Sequence, residues 1–282
     1  MLIANEVAGV REQLHIWKSQ SCSVAFVPTM GNLHAGHLAL VEHAKKVADR
    51  VVVSVYVNPL QFGAKEDFGS YPRTLDADKT ALLNVGADML FLPDSDMMYP
   101  TSPADSTQVQ VPLISDILCG EFRPGHFAGV ATVVCKLFNI VQADIAIFGE
   151  KDFQQVAVIR KMVKDLFLPI QIQALATVRE SDGLAMSSRN QYLTSEQRRH
   201  AVLLYSILKI LAAEAQSHKN FRQLEERGIS QLNQHGFEPE YLQFCDSETL
   251  MQAQADTQKV VLLVAAWLGK TRLIDNLTLD GY

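Results

Sequence analysis

Residues 23–57, SVAFVPTMGNLHAGHLALVEHAKKVADRVVVSVYV, decide the fold of the chain. An apolar run at 23–28 is followed by a turn with glycine and then by apolar residues at helical spacing as far as residue 48. Residues 51–57 are dominated by valine, and a continuous β-branched run is typical of a strand buried on both faces. Strand, helix and strand within about 35 residues predict a βαβ unit, the building block of a parallel sheet.

Strands and helices continue to alternate as far as residue 166. Helices are predicted at 75–85, 129–141 and 152–166, and strands at 87–92 and 145–148. This alternation favours an α/β fold with a Rossmann-like doubly wound parallel sheet. Ligands of such sheets bind beyond the carboxyl ends of the strands, so functional residues are expected in the loops there.

After about residue 177 the pattern changes. Thr194 is a plausible N-cap with Gln197 at the capping-box spacing, which predicts one long amphipathic helix over 194–215. Strands are predicted at 238–246 and 260–268, followed by an extended segment at 272–279. The chain is therefore expected to have a first domain at 1–176 and a smaller C-terminal α+β domain at 177–282.

Charge and hydropathy exclude several classes of partner. With 25 basic and 31 acidic residues the net charge is −6, so the chain has no overall positive field to hold a nucleic acid. A single nucleotide is not excluded, because it needs only a few hydrogen-bond donors. The longest apolar stretch, 260–268, is far short of the ~20 residues that cross a bilayer. Glu6, Arg11 and Glu12 interrupt any signal-peptide core, and the four cysteines form no Cys-x-x-Cys pair, so a cytoplasmic protein is expected.

The first candidate site is PTMGNLHAGH at 28–37, directly after the first strand of the βαβ unit. Its glycine spacing imitates a P-loop, but His37 and Leu38 stand where that motif needs Lys and Ser/Thr. His34 and His37 lie beside a helix N-terminus, where imidazolium groups would donate to phosphate oxygens and offset charge on a leaving pyrophosphate. The alternatives are a tight turn with solvated histidines, or a zinc site that lacks an evident third ligand.

The second candidate site, FGEKDFQQ at 148–155, follows another strand. Gly149 lets the backbone approach a ligand, Lys151 supplies a charge for phosphate, and Asp152 could accept from ribose hydroxyls. Taken alone this is also an ordinary capping turn. Both segments should leave the same edge of one parallel sheet, which favours a nucleotide site.

Two further loops carry polar side chains suited to small anions. Met186-Ser187-Ser188-Arg189 offers hydroxyls and a guanidinium that could close over a triphosphate, the alternative being a solvated linker. Gln61 presents a donor and an acceptor together, which suits a substrate with hydroxyl and carboxylate groups, the alternative being a surface glutamine. His126 is placed outside the catalytic set, as a supporting or helix-capping residue.

These motifs resemble those of the pantothenate synthetases, the pantoate–β-alanine ligase family of the nucleotidylyltransferase superfamily. Residues 28–37 resemble the His-x-Gly-His signature of the superfamily and residues 186–189 resemble its Lys-Met-Ser-Lys-Ser loop. More specific resemblances are, in family order, NPLQFG from 58, YPRT from 71, RPGHF from 123, FGEKDFQQ from 148 and DGLAMSSRN from 182. Ala35 stands where the family commonly has Leu.

The resemblance implies a two-step reaction with ATP and Mg²⁺. The carboxylate of pantoate attacks the α-phosphate and releases pyrophosphate, and the amine of β-alanine then attacks the pantoyl adenylate to give pantothenate and AMP. It also implies a homodimer. No protein ligand of magnesium is assigned.

The resemblance also implies roles for individual residues. The implied ATP site comprises Met30, Gly31, Asn32, Leu33, His34, Ala35, Gly36, His37, Gly149, Glu150, Lys151, Asp152, Val178, Met186, Ser187, Ser188 and Arg189. The implied catalytic residues among them are His34, His37 as proton donor, Lys151, Ser187, Ser188 and Arg189. Gln61 and Gln155 would hold pantoate, with Gln61 also positioning β-alanine and Asn58 a weaker candidate.

Two other functions are weighed against this one. A related nucleotidylyltransferase would transfer AMP to a phosphate-bearing substrate, but Gln61 and Gln155 suggest an acceptor without phosphate. A regulatory nucleotide-binding module would not need His34, His37, Lys151 and Arg189 together.

Overall fold

The computed structural model describes residues 1–63, 66–103, 105–217 and 219–279. The chain divides into two compact units, one of Met1–Glu150 with Gln155–Ala176 and one of Lys151–Gln154 with Thr177–Tyr282. The short segment Lys151–Gln154 is therefore grouped with the C-terminal unit, although the sequence places it inside the first predicted domain. Within the described residues no helix has the length and apolar composition needed to cross a membrane.

The first unit contains a six-stranded sheet in which every pairing is parallel. The strands are β1 (Leu2–Ala4), β2 (Val24–Thr29), β3 (Arg50–Val55), β4 (Met89–Phe91), β5 (Ile145–Gly149) and β6 (Gln171–Leu175). Their order is β1-β4-β3-β2-β5-β6, so the direction in which strands are added reverses between β2 and β5. That reversal is the switch point at which doubly wound sheets bind ligands, and it confirms the predicted fold class.

Helices cover the sheet of the first unit. They are α1 (Val7–Ser19), α2 (Ala35–Val47), α3 (Leu75–Asn84), α4 (Ser95–Met98), α5 (Cys119–Phe122), α6 (His126–Val141) and α7 (Phe153–Asp165). Single 3-10 turns occupy Pro59–Gln61, Asp67–Gly69 and Glu150–Asp152. On one face of the sheet α2 and α3 pack against β2 and β3. On the other face Phe26 packs against Phe138 of α6, so the apolar runs are buried on both sides, as the valine-rich sequence predicts.

The edge strands and α1 were not predicted. β1 has only three residues, and Leu2 and Ile3 remain about half exposed. β6 alternates Gln with apolar residues and is only half-buried. Three residues are too few to show the period of a strand, so β1 gives little signal in the sequence.

The second unit contains an antiparallel sheet with helices packed against it. Its strands are β7 (Phe237–Asp246), β8 (Val260–Leu268) and β9 (Thr271–Leu279), in the order β7-β8-β9, and its helices are α8 (Ser195–Ala201), α9 (Leu203–Ala215) and α10 (Phe221–Gln234). A 3-10 turn occupies Ser188–Tyr192. The predicted smaller α+β unit is confirmed, and its core lies between the helices and the sheet.

The single helix predicted over 194–215 is observed as two helices, α8 and α9, divided at Val202, whose backbone keeps right-handed helical dihedral angles. The capping box is present, since Thr194 Oγ1 accepts from Gln197 N at 3.2 Å and Gln197 Oε1 accepts from Thr194 N at 2.9 Å. Ser206 donates to the carbonyl of Val202 through both its backbone N–H, at 3.3 Å, and its hydroxyl, at 3.2 Å. A serine hydroxyl that bonds back to the preceding turn competes with the helical ladder and bends it.

Candidate functional site

The loop after β2 requires glycine at position 31. Gly31 has φ +80° and is followed by Asn32 at φ +51°. A Cβ at Gly31 would lie 2.9 Å from Val55 Cγ1 and 3.0 Å from Asp78 Oδ2. The chain can turn this sharply only without a side chain there, and the turn brings His34 to the N-terminus of α2.

A buried carboxylate holds the loop after β2 through its backbone N–H groups. Asp78, in the first turn of α3, is 2% exposed and accepts from the backbone N–H of Asn32 at 2.9 Å and of Leu33 at 2.8 Å. The hydroxyl of Thr74 donates to the same carboxylate at 3.2 Å. Asp78 was not predicted from the sequence, because an acidic residue in a first helical turn is also ordinary helix chemistry.

His34 and His37 cap α2 reciprocally. His34 Nδ1 accepts from Gly36 N at 3.1 Å, His37 Nδ1 accepts from His34 N at 3.4 Å, and the ring centroids are 4.1 Å apart. A ring whose Nδ1 accepts carries its proton on Nε2 and is neutral. The sequence suggested imidazolium groups, whereas this geometry favours neutral rings that donate from Nε2.

The turn after β3 brings Met30, Asn58 and Gln61 together. Asn58 is 1% exposed, and its amide donates to Gln61 Oε1 at 3.3 Å and to the carbonyl of Gly129 at 3.1 Å. Gln61 Nε2 faces Met30 Sδ at 2.8 Å. A thioether is a weak acceptor, so the amide of Gln61 has capacity for a stronger acceptor supplied by a ligand.

Arg123, just before α6, and His126, its first residue, hold the backbone of Gln61. His126 Nδ1 lies 2.8 Å from the carbonyl of Gln61, and Arg123 Nη2 donates to it at 3.3 Å. His126 Nε2 lies 3.1 Å from Arg123 Nη1, which can only donate, so Nε2 accepts and Nδ1 carries the proton. Glu66 forms an ion pair with Arg123. His126 is thus a supporting residue, as predicted from the sequence.

Tyr99 orients Asn58 and was missed from the sequence. Its hydroxyl donates to Asn58 Oδ1 at 2.7 Å, and burial raises the pKa of Tyr99 well above its ordinary value. Because its pKa is raised, the phenol of Tyr99 remains a donor throughout the neutral pH range. Lys136 Nζ lies 4.2 Å from the centre of the Tyr99 ring and donates to the carbonyl of Met98 at 2.6 Å, and burial lowers the pKa of Lys136. No local pattern in the sequence connects Tyr99 with Asn58, 41 positions away.

The motif after β5 lies beside the first loop in the sheet. β5 pairs with β2 in parallel and ends at Gly149, where an added Cβ would meet nothing within 4 Å. Residues 28–37 and 149–150 therefore follow neighbouring strands at the same sheet edge, as predicted. Gln155 is half-buried near the start of α7.

The remaining predicted site residues belong to the second unit. Lys151 is half-buried, Asp152 is exposed, and the carbonyl of Lys151 accepts from Asn276 Nδ2 at 3.0 Å. Met186 N donates to Val178 O at 3.0 Å, which brings these two residues together.

The 186–189 loop is ordered by a local cap. Ser187 Oγ accepts from Arg189 N at 3.2 Å and caps the 3-10 turn that follows, and residues 186–189 are all half-buried. This part of the chain is thus an organised turn and not the solvated linker considered as the alternative. Among the described residues there is no group of three or more His, Cys, Asp or Glu arranged to hold a metal ion.

Comparison with known proteins identifies the family. The model of the pantoate-beta-alanine ligase family matches residues 2–278. The chain belongs to this family. It is therefore a ligase of pantothenate biosynthesis, and the resemblance seen in the sequence is confirmed.

Relatives of this ligase family match over essentially the whole chain. Pantothenate synthetase from Shewanella sp. (strain ANA-3) is 51% identical over 280 residues, covering 99% of this chain and 100% of the relative. The crystal structure of the enzyme from Thermus thermophilus has a TM-score of 0.91 at 44% identity, covering 98% of this chain and 99% of that one. The ligase from Francisella tularensis, complexed with beta-gamma ATP and beta-alanine, has a TM-score of 0.81 at 34% identity, covering 100% and 99%.

Proposed function

We propose that the chain condenses pantoate with β-alanine in two steps, through a pantoyl adenylate. ATP would be the activating nucleotide, and pyrophosphate and AMP the products beside pantothenate. The observation that carries the proposal is the reciprocal cap of His34 and His37 through Nδ1 at the N-terminus of α2, beside the switch point of the sheet. The Francisella relative was crystallised with a form of ATP and with β-alanine.

The nucleotide is assigned to the loops already described. Residues 30–37 and 149–152 hold the phosphates and ribose, with Lys151 on phosphate and Asp152 near ribose. Val178 lies against adenine, and Ser187, Ser188 and Arg189 close on the triphosphate. The helix dipole, the Nε2–H donors and the two cationic side chains all favour the charge that grows on departing pyrophosphate. Magnesium arrives with ATP as part of the substrate.

Pantoate is assigned to the glutamines. Gln61 can donate from Nε2 and accept at Oε1, which suits an acid that also bears hydroxyls, and Gln155 provides a second amide. Gln61 also positions β-alanine. Asn58 is almost fully buried and bonded to Tyr99, Gly129 and Gln61, so its part is to orient Gln61.

The two steps follow from carboxylate chemistry. A carboxylate oxygen of pantoate attacks the α-phosphorus, the bond to the bridging oxygen breaks, and pyrophosphate leaves with hydrogen bonds from His34 and His37. The amine of β-alanine then attacks the acyl carbon, AMP leaves with the carboxylate oxygen, and the nitrogen loses a proton. Activation is needed because a carboxylate does not react with an amine at neutral pH.

The remaining expectations are also proposals. We expect a cytoplasmic homodimer that binds no nucleic acid. The unit that contains the parallel sheet would bind ATP and pantoate.

Isotope exchange tests the adenylate. With ATP, magnesium and pantoate but no β-alanine, labelled pyrophosphate should appear in ATP, because the first step is complete and reversible without the amine. Omitting pantoate is the control and should abolish exchange. Exchange that requires β-alanine, or formation of ADP and phosphate in place of AMP and pyrophosphate, would contradict the proposal.

A further inference from the structure

Asp275 and Asn276 are neighbours on β9, and both are buried although both are polar. Their exposed fractions are 3% and 6%. Successive residues of a strand point to opposite faces, so the two side chains leave β9 in opposite directions. Opposite them on β8 are Val264 and Leu263, which offer no polar side chain. Burial of a carboxylate and an amide in such surroundings is costly unless each has a partner elsewhere.

The partner of Asp275 is Arg179. Arg179 Nη1 lies 2.7 Å from Asp275 Oδ2 and Nη2 lies 2.9 Å from Oδ1, a forked pair. The guanidinium carbon also lies 3.4 Å from the ring centre of Tyr205, on α9. The guanidinium is thus held in one orientation by a carboxylate and an aromatic face.

Arg179 closes the turn that carries two proposed nucleotide contacts. Its Nη1 donates to the carbonyl of Gly183 at 3.2 Å, across the turn. The ends of the turn are joined by a β-bridge between Arg179 and Ala185 and by the hydrogen bond from Met186 to Val178. The position of Arg179 therefore sets the positions of Val178 and Met186.

The partner of Asn276 is the main chain of Lys151. Asn276 Nδ2 donates to the carbonyl of Lys151 at 3.0 Å, across 125 positions of sequence. A hydrogen bond to the main chain fixes the point from which the flexible lysine side chain starts, whatever that side chain then contacts. Lys151–Gln154 and Asn276 both belong to the C-terminal unit.

We propose that Asp275 and Asn276 are positioning residues for nucleotide binding. Two adjacent residues of one strand hold the Val178–Met186 turn and the Lys151 main chain at a fixed separation, one on each face of β9. This inference rests on the proposed function, in which those two segments contact ATP. If the two residues have a purely structural role, their replacement should lower stability and reduce the affinities for ATP and pantoate equally. If they have a positioning role, replacement should reduce the affinity for ATP selectively.

The test uses the full-length chain with Asn276→Leu, which keeps the side-chain volume and removes the donor. Thr278→Val is the matched control, because Thr278 is exposed on the same strand. Calorimetry gives the Kd of a non-hydrolysable ATP analogue, and steady-state assays give KM for ATP and for pantoate. Thermal unfolding monitors the fold of each variant.

The expected result is a Kd and a KM for ATP raised about fivefold to tenfold, with KM for pantoate within about twofold of the original value. The control should match the unaltered protein. Unchanged nucleotide affinity, or equal increases in both KM values, would overturn the inference. If Asn276→Leu does not fold, Arg179→Lys keeps the charge, cannot form the forked pair, and carries the same expectation. Failure of the unaltered protein to bind the analogue would overturn the proposed function itself, and the inference with it.

Discussion

His34 and His37 show how one side chain serves structure and chemistry at once. Each ring uses Nδ1 to cap α2, and that hydrogen bond leaves the proton on Nε2. The cap thus sets the tautomer that the proposed phosphate contact requires. A proton on Nδ1 would remove the acceptor and with it the cap, whereas Nε2–H would still be able to donate, so it is the cap that depends on a neutral ring.

Replacing His37 with asparagine separates these two functions. The Oδ1 of the shorter amide side chain can still accept from His34 N, but the variant has no donor where Nε2 lies. We expect His37→Asn to keep its melting temperature and to lose about 10²–10³ in kcat, the usual effect of removing one preorganised donor. Melting curves and pyrophosphate exchange measure the two effects. A variant with the original turnover would refute the role of Nε2.

Glu225 predicts a pH dependence of stability. It is 8% exposed on α10 and accepts from Phe244 N at 2.7 Å, and burial raises its pKa above the ordinary 4.5. Between the unfolded and folded pKa values the folded state binds more protons, so stability falls as pH rises through that interval, and the cost is complete above the folded pKa.

Glu225→Gln removes that cost while keeping an acceptor for Phe244. At neutral pH the melting temperature should rise by a few degrees, since about 1 kcal/mol corresponds to roughly 2–4 °C at this chain length. The difference should shrink towards pH 4, where the wild-type carboxyl is protonated in the folded state. Glu238→Gln, exposed on β7, is the control. A destabilised variant at neutral pH would contradict this account.

At the scale of elements, the close packing of α6 against the 3-10 turn Pro59–Gln61 depends on Gly129. A Cβ there would collide with the carbonyl of Leu60 and lie 2.7 Å from Gln61 N. The carbonyl of Gly129 also accepts from Asn58. The helix therefore positions the proposed pantoate contact through its backbone.

Gly129→Ala should displace the turn and with it Gln61. Overpacking of this kind costs about 1–3 kcal/mol of stability, and KM for pantoate should rise several-fold more than KM for ATP. Gly9→Ala on α1 is the matched control, because nothing lies within 4 Å of its added Cβ and the helix should become slightly more stable. Equal changes in both KM values would show that the turn does not act through pantoate.

At the scale of the whole molecule, each unit has its own hydrophobic core. The core of the first unit includes β2, β3 and α2, and that of the second includes α9, α10 and β8. No residue belongs to both clusters among those described. Loss of packing in one core should therefore first lower the local stability of the helices and strands that form that core.

Leu208→Ala tests this separation. Leu208 is fully buried on α9, so the variant should lose about 2–5 kcal/mol. Hydrogen exchange should show the loss of protection in β7, β8 and β9, while β2 and β3 keep theirs. Ile210→Ala, on the same helix and 49% exposed, should have little effect. Equal loss of protection in both units would contradict two separate cores.

The sequence by itself determined the elements whose pattern is local. The valine run of β3, the apolar run of β2 and the Thr194–Gln197 capping box are each formed by residues close together along the chain, and each appears in the structure. α10 was not predicted, because its buried face is narrow and includes Glu225 and Gly228, which do not mark an apolar helical face. A Cβ added at Gly228 would lie 2.6 Å from Leu211 Cδ1, so the close approach of α9 requires glycine there. Sequence pattern also found the loops that belong to the proposed site, because parallel strands place their carboxyl ends together.

Only the tertiary structure decided how the proposed site residues are held. Three hydrogen bonds illustrate this, and they join residues 45, 41 and 125 positions apart: Leu33 N to Asp78, Tyr99 to Asn58, and Asn276 to the carbonyl of Lys151. A polar atom that folding buries forms a hydrogen bond with whichever partner the fold places beside it. The identity of a partner so distant in sequence cannot be predicted from residue spacing. The tautomers of His34 and His37 were decided in the same way, by the backbone N–H groups that the turn of α2 presents to them.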